Sequence, residues 1–107
     1  MPITTYLSSE RGKRAHRETV AIGTTSEPVA IHPGSGPISV GVTPAGGATA
    51  LVEYTLSGEA AVNAGSATWR PWTHAGATTN KDTVLNQPVT ALRCTATAAA
   101  VNWEILV

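Results

Sequence analysis

Among its 107 residues the chain has no phenylalanine, a single methionine and a single cysteine. One cysteine excludes an internal disulfide. Cys94 lies in an apolar strand pattern, where a thiol serves as a small buried hydrophobe. With Phe absent, the core must be built from Ala, Val, Thr and Gly around a few larger side chains, a composition that favours strands and thin sheet packing. No run approaches the ~18 apolar residues of a membrane span, and the first residues lack the apolar core of a signal peptide. The expectation is a protein made in a cytoplasm and kept soluble. No Asn-x-Ser/Thr sequon supports a glycosylated, secreted origin.

Charge is sparse as well, 13% of residues and zero net, but it is unevenly placed. Residues 1–17 carry Arg11, Lys13, Arg14 and Arg17 against Glu10, a net +3, and residues 18–107 carry a net −3. An acidic body with few charges argues against nucleic acid, which needs clustered Lys and Arg on a folded surface. The sequence therefore divides into a basic, extended N-terminal arm (1–17) and one small domain (18–107). Ile3, Tyr6 and Leu7 form the arm's only apolar group, a tip suited to lying across a protein surface. Serine at position 8 or 9 would cap a short helix, which Gly12 would stop.

Seven prolines and ten glycines break the domain into short segments. Extended patterns occupy residues 19–22 and 28–32, followed by the turn Pro33-Gly34-Ser35-Gly36-Pro37. Ile38, Val40 and Val42 alternate with smaller or polar residues. Ala50, Val52, Tyr54 and Leu56 do the same. Glu59-Ala60-Ala61-Val62 allows one helical turn. Residues 67–72 read as an edge strand or a bulged one because Pro71 interrupts them. A short strand is expected at 83–85, a longer one at 89–97 and a last one at 100–107, leaving the C-terminus paired in a sheet. About seven or eight short strands at this spacing predict an all-β fold, an antiparallel β-sandwich or jelly roll.

No catalytic signature stands out. His16, His32 and His74 form no i,i+4 pair and have no cysteine nearby, so no metal set is expected, and nothing calls for a cofactor. Asp82 is the lone aspartate and no serine sits in Gly-x-Ser-x-Gly, against a hydrolytic triad. Alternation puts Glu53 and Glu104 on outward strand faces, as solvated cross-strand charges rather than a glycosidase pair. Trp69, Arg70, Trp72 and His74 are the one group arranged to contact a ligand, either a sugar ring or a subunit.

Residues from about 50 to 107 resemble small β-sandwich virion proteins of tailed bacteriophages. The resemblance lies in Val52-Glu-Tyr-Thr-Leu-Ser57, Ala64-Gly-Ser-Ala-Thr-Trp69-Arg-Pro-Trp72, Pro88-Val-Thr-Ala-Leu-Arg93 and Val101-Asn-Trp103-Glu. It implies a non-enzymatic structural role in the virion, as a head decoration (cement) protein that stabilises the capsid. Its partners would be the major capsid protein or another virion protein and its own copies, as a dimer or trimer. A tail or head–tail connector component is the alternative within the particle. A carbohydrate-binding or adhesion module using Trp69 and Trp72 is the alternative outside it.

Overall fold

In a computed structural model, residues 5–10, 13–31 and 37–107 are described. The alternating segments form strands. In chain order these are β1 (Thr5–Tyr6), β2 (Ser8–Glu10), β3 (Lys13–Val20), β4 (Val29–Ala30), β5 (Ile38–Pro44) and β6 (Thr49–Thr55). One helical element, α1 (Glu59–Ala64), precedes β7 (Trp69–Pro71), β8 (Lys81–Leu85), β9 (Ala91–Thr97) and β10 (Val101–Leu106). They make two five-stranded sheets, ordered β1-β4-β9-β6-β7 and β2-β3-β10-β5-β8.

The pairings follow one rule. β3 pairs β10, β4 pairs β9, β5 pairs β8 and β6 pairs β7, every one antiparallel. The eight strands are thus one long hairpin bent between β6 and β7. Rolling that hairpin brings β5 beside β10 and β6 beside β9. Of the two all-β architectures expected, the topology is the jelly roll. β1 and β2 extend one sheet each, β1 in parallel with β4.

The core lies between the sheets and obeys the period of two. On β10, Val101, Trp103 and Ile105 are buried, while Asn102, Glu104 and Leu106 are exposed. β5 contributes Ile38, Val40 and Val42, β6 contributes Ala50 and Val52, and β9 contributes Leu92, Cys94 and Ala96. Trp72 and Trp103 supply the bulk that the missing phenylalanines would otherwise provide. The helical turn expected at 59–62 is present as α1. It ends in a Schellman motif: Gly65 N–H donates to Val62 O at 3.1 Å and Ser66 N–H to Ala61 O at 2.9 Å, with Gly65 left-handed at φ 75°.

The structure departs from the sequence reading at the N-terminus. The boundary expected at residue 17 falls inside β3, whose whole length is hydrogen-bonded into the sheet between β2 and β10. Where described, the segment read as an extended arm is sheet. Residues 8–10 are a strand instead of a helical start, because they complete a hairpin with β3. The strand expected at 19–22 begins earlier and ends at Val20, leaving Ile22 exposed. Strand 28–32 contracts to β4, and His32 lies outside the described residues. Pro71 does sit on an edge strand, since β7 closes its sheet.

The turn joining β9 to β10 holds Ala98 at φ 70°, the one non-glycine residue with positive φ among those described. A left-handed alanine costs roughly 1–2 kcal/mol that glycine avoids, less the extra chain entropy glycine loses on folding. Ala98→Gly is expected to raise stability by about 0.5–1 kcal/mol in urea denaturation.

Candidate functional site

The basic cluster is the first candidate, and the sheet decides what it can present. On β3, residues 16, 18 and 20 face Ile105, Trp103 and Val101 across the β10 register, so the even positions look toward the core. Arg17 has the opposite parity and projects from the outer face, with Glu104 directly across and their side chains 3.7 Å apart. Both partners are largely exposed, and a pair in that setting contributes little. Arg14 is also exposed but lies on the even face, beyond the end of the core. Its backbone exchanges two hydrogen bonds with Val107, extending the ladder. Arg14 and Arg17 therefore stand on opposite faces of one strand rather than in a single patch. Lys13 opens β3, but its side chain, like all of Ile3 and Arg11, lies outside the described residues.

The apolar tip is divided too. Leu7 is buried in the chain's own core and is unavailable to a partner. Tyr6 is 56% exposed and borders a shallow groove with Ala30, Ile31, Leu56, Pro88 and Val89. Alternation explains the split, since neighbours in an extended segment point to opposite sides.

The tryptophan edge does not form a stacking platform. Trp72 is only 2% exposed, and the His74 ring meets it edge-on at 5.1 Å. Trp69 is half-buried, with the Arg93 guanidinium 4.2 Å above its ring. Arg93 is fixed in turn by Glu53, Nε to Oε1 at 3.0 Å, from the directly opposite position on β6. One ring is enclosed by the core and one face of the other is capped by a cation, so the two do not form a joint stacking surface. Arg70 is exposed between them. Glu53 and Glu104 are cross-strand partners of Arg93 and Arg17, the arrangement expected for outward-facing charges.

A polar cluster that the sequence reading missed sits on the inner face of β3. Glu18 Oε1 accepts hydrogen bonds from Trp103 Nε1 and His16 Nε2, each at 2.9 Å. The His16 ring meets Trp103 edge-on at 5.8 Å. A carboxylate on a core face is tolerated because it satisfies the one polar group of the central tryptophan. Glu18 also acts on Cys94. Burial chiefly, and then the Glu18 charge, push the thiol up to about 12. This thiol is protonated and inert at neutral pH. Among the described residues no three His, Cys, Asp or Glu side chains converge in a way that could hold a metal ion. No described helix is long and apolar enough to cross a membrane.

Compared with protein-family models, curated proteins and solved structures, the chain finds no match.

Two outcomes follow from the inner cluster. Glu18→Ala removes the acceptor of a buried indole N–H and is expected to cost about 1–3 kcal/mol in urea denaturation. Glu18→Gln keeps a carbonyl acceptor and should cost less. Cys94 should not react with a thiol reagent until the protein is unfolded. Its raised folded value means that ionisation favours the unfolded chain, so stability is unaffected below about pH 9 and falls as pH rises toward 12. The slope approaches about 1.4 kcal/mol per pH unit. Denaturation midpoints from pH 8 to 11 measure it, and Cys94→Ala should flatten the decline.

Proposed function

We propose that the protein is a non-enzymatic structural component of a tailed-phage virion, a decoration (cement) protein that reinforces the head. It docks on the major capsid protein through its basic N-terminal edge. The observation that carries this reading is the charge division of the chain, +3 over residues 1–17 and −3 over the remainder, combined with the place of the basic segment on β2 and β3, the outer two strands of one sheet. A net-neutral molecule with separated charge orients as it approaches an oppositely charged surface. The jelly roll supports the reading as a rigid, compact scaffold, an architecture that also serves in viral capsids. The resemblance of residues 50–107 to phage virion proteins supplies the class of partner. A small domain repeated on a lattice gains strength from multivalency, so no single contact has to be tight.

Because β3 begins at Lys13 and Leu7 is part of the core, deleting residues 1–17 would damage the fold itself. The test is the double variant Arg14→Glu, Arg17→Glu, whose side chains are both exposed. In co-sedimentation with heads of the phage that encodes the chain, wild-type binding should weaken as salt rises. The charge-reversed variant should bind at least about ten-fold more weakly, a change of ~1.4 kcal/mol. Equal binding by both proteins refutes docking through this edge.

A further inference from the structure

The outermost strands of the two sheets are β1, β2, β7 and β8, and three of them are short. β2 covers only residues 13–15 of β3, and the open stretch beyond it, 16–20, carries the charges of Arg17 and Glu18, which guard an edge. β1 has two residues, and β2 and β7 have three each, with Pro71 in β7 supplying no N–H. The fourth, β8, runs for five residues, Lys81–Leu85, and ends its sheet with β5 on one side only. None of its residues is buried, so nothing in the described fold covers it. Val84 is 46% exposed on the outer face. Ser39 on β5 lies beside it and Leu106 on β10 one strand further, and Leu106 is itself 43% exposed. An edge of this length with an exposed aliphatic one residue from its centre is a template for strand addition.

We infer that the free edge of β8 pairs antiparallel with β8 of a second copy of this chain, about a two-fold axis at Val84. Self-pairing across a two-fold requires each residue to meet a partner on the same face, which leaves few registers. An axis at Asp82 sets two aspartates directly against each other. An axis at Thr83 sets Lys81 against Leu85 and Asp82 against Val84, a charge against an aliphatic on both faces. An axis at Leu85 brings Pro88 into the ladder, where it has no donor. The axis at Val84 avoids all three. It places Val84 on Val84 and Thr83 against Leu85, with Asp82 and Lys81 running past the end of the partner's strand. Apolar meets apolar or β-branched, pairs that stabilise a sheet, and no charge is set against a like charge or an aliphatic. The product is one sheet of ten strands across two protomers. It leaves the basic β2–β3 edge of each copy outermost, so the dimer carries two copies of the docking edge of the proposed decoration role. The inference deepens that role, but its test uses the isolated protein, so dimerisation and capsid binding fail or succeed separately.

Sedimentation equilibrium of the full chain should give a dimer. Val84→Arg should give a monomer with an unchanged far-UV circular dichroism spectrum, since the substituted side chain is exposed. Register is read by cross-linking. Val84→Cys places two thiols on directly opposite positions, where Cβ atoms lie about 4.5–5.5 Å apart, close to the reach of a disulfide. Oxidation should convert this variant to a covalent dimer, and Thr83→Cys should stay unlinked. The wild-type Cys94 is fully buried and contributes no cross-link. A monomeric wild type, a dimeric Val84→Arg, or equal cross-linking of the two cysteine variants each overturns the inference.

Discussion

The pairing of β10 between β3 and β5 holds the fold together. β10 ends the described chain yet lies at the middle of its sheet, with a six-residue register on each side. It joins the N-terminal strand to the strand that begins the turn back toward the other sheet. Its inward residues, Val101, Trp103 and Ile105, are the centre of the core. β3 and β5 are joined in the sheet only through β10, so the rolled hairpin closes on this strand. Trp103 locks the arrangement from inside, its indole N–H held by Glu18 on the facing strand.

This constraint changes what the basic N-terminus is. A flexible tail with four cations would be a tether, paying an ordering cost on each binding event. A strand clamped to β10 pays that cost on folding instead. Its exposed cations are presented at fixed positions, Arg17 outward and Arg14 near the end of the ladder. The rest of the molecule carries little charge and no described metal-binding cluster. The described surface carries the exposed cations of β3, an open strand edge at β8 and a groove beside Tyr6.

The sequence revealed the fold wherever strand alternation matched burial. Residues 38–44 and 101–106 alternate cleanly, and their inward faces match the expectation. Residues 49–55 form the expected strand, but its alternation breaks after Glu53: Thr55, expected outward, is fully buried, and Leu56, expected inward, is 51% exposed. β3 was hidden because its inner positions are Arg14, His16, Glu18 and Val20, three of them polar, so its period of two does not show as hydrophobicity. The same feature concealed the Glu18 cluster, since the carboxylate and its tryptophan partner are 85 residues apart in the chain. Leu7 looked like part of an apolar tip because nothing local distinguishes a residue facing its own core from one facing a partner. The sequence favours Trp69 in the core and Trp72 over the sheet's end or a subunit contact, and the structure exchanges them, with Trp72 buried and Trp69 half-buried. Their different exposure comes from parity at the end of β7 and from Arg93, forty residues after Glu53, which holds it in place. The outward carboxylates were legible because Glu53 and Glu104 occupy polar positions of strongly alternating strands.

Native-state hydrogen exchange at the amides of residues 14–20 tests most directly whether the basic segment belongs to the sheet closed by β10. The pairing described here predicts protection of the β10-facing amides comparable to that of residues 101–106, with both strands opening together in a single cooperative step as denaturant is added. Exchange of residues 14–20 at the rate of an unstructured chain, while residues 101–106 stay protected, would contradict it and return the segment to a free arm.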